Sequence, residues 1–147
     1  MNKFRRATIF LAEDNPDDVE ITRRAFKRSR LGCELVVARD GEEALRMLTE
    51  GERPDFVLLD INLPKVTGLE VLTRIRADGR LTGLPVVVMS ISDREEDVVR
   101  SYALGANSYI QKPVVFEEFL EALKVMTSYW FEVARLPRPS GRRAGSR

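Results

Sequence analysis

The chain has 147 residues, 44% of them hydrophobic, with 24 Lys and Arg against 23 Asp and Glu. That is the length of one domain with a real core, and no run approaches the roughly 18–20 apolar residues of a membrane-spanning helix. The balanced charge argues against a dedicated nucleic-acid binder. The absence of histidine removes that residue as general base, zinc ligand or phosphate carrier, and excludes serine–histidine and cysteine–histidine nucleophiles. The single cysteine, Cys33, permits no internal disulfide and fits a reducing cytoplasm. Met1-Asn2-Lys3-Phe4-Arg5-Arg6 is basic, but neither a long apolar stretch nor a small-residue cleavage site follows it, so it does not read as a signal peptide.

Apolar runs of strand length alternate with segments of helical period, the rhythm of βα units and a parallel sheet. A first strand is expected over about Thr8–Glu13. Asn15 then caps a helix with Pro16 at its first position, where a missing N–H does no harm, and Val19, Thr22, Ala25 and Phe26 form the inner face. Glu34–Ala38 is the second strand. Asp40 and Glu43 make a D-x-x-E cap for a helix using Ala44, Leu45 and Leu48 and stopping near Gly51. Asp55–Leu59 is the third strand, followed by a helix from about Gly68 to Arg76. Leu84–Met89, the most apolar strand, is fourth; Asp93 and Glu96 repeat the D-x-x-E cap for a helix ending at Gly105. Asn107–Gln111 is the fifth strand. The last helix runs from about Val115 to Val133, with Phe116, Phe119, Leu120, Leu123, Met126 and Trp130 near heptad spacing. The expected organisation is a lead over 1–7, one α/β domain over 8–134 and a basic, disordered tail over 135–147, which has five arginines and no acid.

In such a sheet the strand ends open on one edge, where ligands bind at a switch in strand order. That edge would gather Glu13, Asp14, Asp60, Ser90 and Lys112. Two carboxylates about 5 Å apart repel by roughly 3 kcal/mol at an effective dielectric near 20. A group of three must protonate, spread or bind a cation, and all-oxygen ligands with open positions suit Mg²⁺. Next to a metal and an ammonium, the Asp60 carboxylate is an acceptable nucleophile for phosphorus.

The order and spacing of several short segments resemble the response-regulator receiver domains of two-component signalling. The matching pieces are Phe10-Leu11-Ala12-Glu13-Asp14-Asn15, Leu58-Leu59-Asp60-Ile61-Asn62-Leu63-Pro64 with Gly68, Pro85-Val86-Val87-Val88-Met89-Ser90, Gly105-Ala106-Asn107-Ser108-Tyr109, and Lys112-Pro113. The resemblance implies a doubly wound, flavodoxin-like (CheY-like) α/β fold, with a five-stranded parallel sheet in the order 2-1-3-4-5 and five helices. It further implies that Asp60 accepts phosphate from a phosphohistidine on a separate kinase. Asp14, Asp60 and the backbone carbonyl of Asn62 would bind Mg²⁺, with Glu13 acting through water. Ser90 and Lys112 would hold the phosphoryl oxygens, Tyr109 would swing inward as Ser90 moves, and the Lys112–Pro113 peptide would be cis. A narrower resemblance, to single-domain regulators serving bacterial phytochromes, rests on Asn15-Pro16-Asp17-Asp18-Val19, Pro64-Lys65, Tyr129-Trp130 and Ala134-Arg135-Leu136-Pro137. It implies a phytochrome-type histidine kinase as partner.

The residue after Ser90, usually small in receivers, is Ile91. Its bulk would narrow the route to Asp60; the alternative is that it packs under the next helix. Arg23, Arg24, Lys27 and Arg28 on the outer side of the first helix are either a kinase-docking face, as the resemblance implies, or a solvated charge run. Phe119, Met126, Tyr129 and Trp130 exceed what one buried stripe needs, which predicts a homodimer through the fourth helix, fifth strand and fifth helix. The alternative is a fold-back of the extension onto its own domain. No membrane or nucleic-acid partner is expected, and the downstream target is an unnamed protein. Two other functions compete. A Mg²⁺-dependent aspartyl-phosphate phosphatase or phosphotransferase would want an acid two residues after the nucleophile, where Asn62 stands. A nucleotide-binding domain would want a glycine-rich loop after the first strand, which the chain lacks.

Overall fold

Five strands, each an apolar run bounded by turn residues, pair in parallel: β1 (Ala7–Ala12), β2 (Cys33–Ala38), β3 (Phe56–Asp60), β4 (Val86–Ser90) and β5 (Ser108–Gln111). Their order across the sheet is β2-β1-β3-β4-β5, the order expected. The connecting helices are α1 (Pro16–Lys27), α2 (Gly41–Glu50), α3 (Gly68–Ala77), α4 (Glu95–Ala103) and α5 (Phe116–Ser128). The computed structural model describes residues 7–27 and 33–137; most of the basic tail, Arg28, and all of the lead but Ala7 lie outside them.

The two central strands, β3 and β4, are buried at every position, as strands covered by helices on both faces must be. The two-residue period then sends successive side chains to opposite cores. Phe10, Val57, Leu59, Val86 and Val88 pack with Leu48, Leu72 and Ile75 of α2 and α3. Ile9, Leu11, Leu58, Val87 and Met89 pack with Phe26 of α1 and Phe119 and Leu123 of α5. The buried residues of α1 are Val19, Thr22, Ala25 and Phe26, the predicted inner face.

Helix starts follow the expected caps at two places. Asn15 Oδ1 accepts from the amides of Asp17 (2.8 Å) and Asp18 (3.3 Å), and Asp40 Oδ1 accepts from that of Glu43 (2.7 Å). The cap expected at Asp93 is not formed. Arg94 stands at the cap position without a side-chain bond; Ser92 Oγ instead accepts from the Arg94 amide (3.2 Å) and donates to Asp97 (2.5 Å). Glu96, the other half of the expected pair, is taken by the Arg94 guanidinium.

Most other boundaries shift by one or two residues, β1 to Ala7–Ala12 and β4 to Val86–Ser90 among them, and two of the shifts have an evident physical reason. Asp55 lies before β3 because its carboxylate accepts from the Thr8 amide (2.8 Å), tying it to β1 from outside the strand. The last helix is regular only to Ser128; Tyr129–Val133 winds as a π turn. A wider turn brings successive side chains closer in angle, and the rings of Trp130 and Phe131 both lie on Phe56, at 5.3 and 5.2 Å between centroids.

Candidate functional site

The switch in strand order falls between β1 and β3, so the residue just after β1 meets the last residue of β3. Glu13 is held there by its own amide, which donates to the carbonyl of Ala38 (3.0 Å). Asp60 ends β3, 5% exposed, and its Oδ1 accepts from the Asn62 amide (2.9 Å). Gly68 makes this geometry possible: a Cβ there would stand 2.0 Å from the Asp60 carbonyl oxygen, so only glycine lets α3 begin so close to Asp60.

Lys112 enters from β5. Its backbone amide donates to the carbonyl of Ser90 at the end of β4 (2.7 Å). Its Nζ, buried in the cleft, donates to Glu13 Oε1 (2.5 Å), Asp18 Oδ2 (2.9 Å) and Asp60 Oδ2 (3.0 Å). The expected cis Lys112–Pro113 bond is not found: no cis peptide occurs among the described residues. The tie to Ser90 aims the lysine into the cleft without it.

The charges are unbalanced. Glu13, Asp14 and Asp60 each offer an oxygen, all within 4.8 Å of one another, Asp14 from the exposed mouth. Burial and the neighbouring Asp60 push the Glu13 carboxyl up to about 7, against the opposing pull of Lys112. Burial alone would lower the Lys112 ammonium, but Asp60 and Glu13 together hold it above its ordinary range. Buried carboxylates in excess of their one ammonium, an oxygen-only donor set and an open side fit a hard divalent cation.

Ser90 is wholly buried, and its Oγ accepts from the Ser92 amide (3.1 Å). Tyr109 is half-buried against the core, with its hydroxyl on the Ser92 carbonyl (2.8 Å) and its amide on the Tyr102 hydroxyl (3.1 Å). The two expected switch residues therefore meet at Ser92.

With this geometry in view, comparison with known proteins is specific. A family model described as the response regulator receiver domain matches residues 9–124. The chain belongs to that family. The receiver is 37% identical to the response regulator Rcp1 of Synechocystis, over 88% of this chain and 92% of that one. It is 39% identical to the probable methanogenesis regulatory protein FilR2 of Methanothrix harundinacea, over 90% and 88%. Among solved structures, the phosphorylated cyanobacterial phytochrome response regulator RcpA superposes with a TM-score of 0.88 at 39% identity, covering 90% of this receiver and 99% of that chain. The Mn²⁺-bound form of Rcp1 gives 0.87 at 35%, with the same coverage. These relatives lend no support to a small-molecule phosphatase.

Several outer-surface expectations need correction. Phe119 and Met126 are 2% and 6% exposed and face the sheet, so neither can meet a partner. Trp130 is half-buried on Phe56, the fold-back arrangement, whereas Tyr129 is half exposed. Ile91 is 72% exposed and does not pack under α4. Of the basic residues on α1, Arg23 is half-buried and Lys27 exposed; Arg24 is exposed but lies 4.0 Å from Glu20 and 5.8 Å from the Phe116 ring centre. Sequence reasoning missed Asp18 as a site residue. The available signal was its place in the first turn of the helix that follows β1, next to the strand end that carries Glu13 and Asp14.

Proposed function

We propose that this receiver is a phospho-switch that takes a phosphoryl group onto Asp60 from a histidine kinase of the phytochrome type and signals by binding a protein in a phosphorylation-dependent way. The observation that carries the reading is the contact of Lys112 Nζ with both Asp60 and Glu13 in a buried cleft. The kinase assignment draws on the likeness to the phytochrome response regulator RcpA.

One oxygen of Asp60 attacks phosphorus, the bond from phosphorus to the kinase histidine breaks, and the histidine nitrogen leaves with the electron pair. The Asn62 amide holds Oδ1 and the Lys112 ammonium holds Oδ2, so the nucleophile is oriented before the donor arrives. Lys112 and the Ser90 hydroxyl then take the outer phosphoryl oxygens. Asp14, Asp60 and the Asn62 carbonyl, with Glu13 through water, would hold Mg²⁺, which when bound neutralises charge on the transferring group. Hydrolysis of the aspartyl phosphate by the same site resets it; beyond these reactions on itself the protein is not an enzyme.

The added charge, about −1.5 to −2, draws Ser90 toward the phosphate, and Ser92 passes the movement to Tyr109 and α4. Exposed Val99 and Tyr102 on α4, and Val125 and Tyr129 at the end of α5, offer the apolar surface for a homodimer or a downstream protein. Arg23, Arg24 and Lys27 of α1 supply basic contacts for the kinase. Among the described residues no helix is long and apolar enough to cross a membrane, and a cytoplasmic setting suits a partner kinase presenting phosphohistidine there. The working unit spans residues 8–134, with 135–147 as a tail. Phosphotransfer profiling tests the reading: phytochrome-type kinases should label the receiver within seconds, and labelling only by unrelated kinases would overturn the assignment.

A further inference from the structure

We infer that Asp18 is a positioning residue that restrains Lys112 in the unphosphorylated protein and is the partner Lys112 gives up when a phosphoryl group arrives; this rests on the phosphoacceptor reading above. An ammonium has three N–H donors and no more. In Lys112 they go to Glu13, Asp18 and Asp60, at 2.5, 2.9 and 3.0 Å. An oxygen of a phosphoryl group on Asp60 can therefore be met by this ammonium only after one bond is released.

The three partners are not equally free to go. Asp60 carries the phosphoryl group itself. The Glu13 side chain is 1% exposed and forms the shortest bond, so leaving it unpaired would strand a buried carboxylate. The Asp18 side chain is 20% exposed, and water can solvate it once released. Nor is Asp18 needed where it stands for helix capping. Asn15 Oδ1 already accepts from the Asp17 and Asp18 amides, so the carboxylate in the first turn of α1 is free to turn toward Lys112.

Asp18 also adds a negative charge beside a site that must admit an anion. Lys112 faces Glu13, Asp18 and Asp60, and Asp14 stands at the mouth. Asp18 is the one of these whose removal takes away repulsion while leaving the acceptor and the acidic cation cluster intact. It thus biases the receiver against phosphorylation at rest.

The test compares Asp18→Asn with the parent in saturating Mg²⁺, titrating beryllofluoride and reading bound fluorine by ¹⁹F NMR. Asn keeps the size of the side chain but not its charge. The variant should be half-occupied at about tenfold lower beryllofluoride, the scale of one charge-assisted hydrogen bond. In the metal-free protein, the Lys112 ammonium protons should exchange faster with water in the variant, a change that a purely helix-stabilising role would not produce. An unchanged midpoint, or a weaker one, overturns the inference while leaving the phosphoacceptor reading standing. A parent that takes up no beryllofluoride overturns both.

Discussion

Lys112 Nζ lies 3.0 Å from Asp60 Oδ2 across 52 residues of sequence, and neither side chain is more than 7% exposed. The contact joins the residue after β5 to Asp60 at the end of β3. It makes the lysine a structural counter-charge and, under the proposed function, a ligand for the incoming phosphoryl group, and the two roles separate experimentally. Lys112→Met should slow phosphoryl uptake from acetyl phosphate by about 10²-fold, the usual loss for one electrostatic stabiliser. It should also destabilise the protein by about 3 kcal/mol or more above neutral pH, because buried carboxylates lose their partner. Urea unfolding beside a labelling time course measures both.

Glu13 gives the metal-free protein a pH dependence. Its carboxyl is raised from 4.5 to about 7, first by burial and then by Asp60. Between those values the native state holds a proton that the unfolded state has lost, so stability from this group is full below about 4.5 and declines as pH rises through 7. With chelator present, the parent's Tm should fall between pH 5 and about 7.5, and Glu13→Gln should flatten that fall. A parent Tm that rises over the same interval would contradict the burial argument.

Gly68→Ala should damage the site from behind. The new Cβ would sit 2.0 Å from the Asp60 carbonyl oxygen, so the backbone on one side has to shift. A loss of about 1–3 kcal/mol is expected, as for other overpacked sites, with slower phosphorylation because the Asn62 amide moves with the loop. Denaturation and acetyl phosphate labelling of the variant test the pair of effects.

Ile91 stands exposed beside the buried Ser90. If its bulk limits access of water to the acyl phosphate, Ile91→Ala shortens the lifetime of the phosphorylated state without altering Tm. An unchanged decay rate in a phosphate-release assay would remove that role.

At the end of α5, consecutive aromatics divide their work. Trp130 packs on Phe56 while Tyr129 is 52% exposed. Trp130→Ala should cost about 3 kcal/mol in stability, whereas Tyr129→Ser should leave stability within about 0.5 kcal/mol and weaken self-association in sedimentation. The reverse pattern would place the interface on Trp130.

The sheet was legible because β3 and β4 are unbroken apolar runs, and their ends carry Asp60 and Ser90. The inner face of α1 was legible from its helical period. Phe119 and Met126 were misread as outward because the sheet leaves α5 a broad face to fill, and the π turn at Tyr129–Val133 turns Trp130 and Phe131 inward as well. An acid in the first turn of a helix has a sufficient local explanation in the helix dipole, which hid the reach of Asp18 to Lys112. The Asp93 cap failed because Ser92, one residue earlier, bonds both the Arg94 amide and Asp97; sequence spacing alone does not decide between neighbouring cap formers.

The most direct measurement is intact mass after incubation with acetyl phosphate and Mg²⁺, for the parent and for Asp60→Asn. The parent should gain one phosphoryl group, lost again in alkali as an acyl phosphate is, and the variant none. A variant that takes up label at the parent's rate would contradict the assignment of Asp60 as the acceptor.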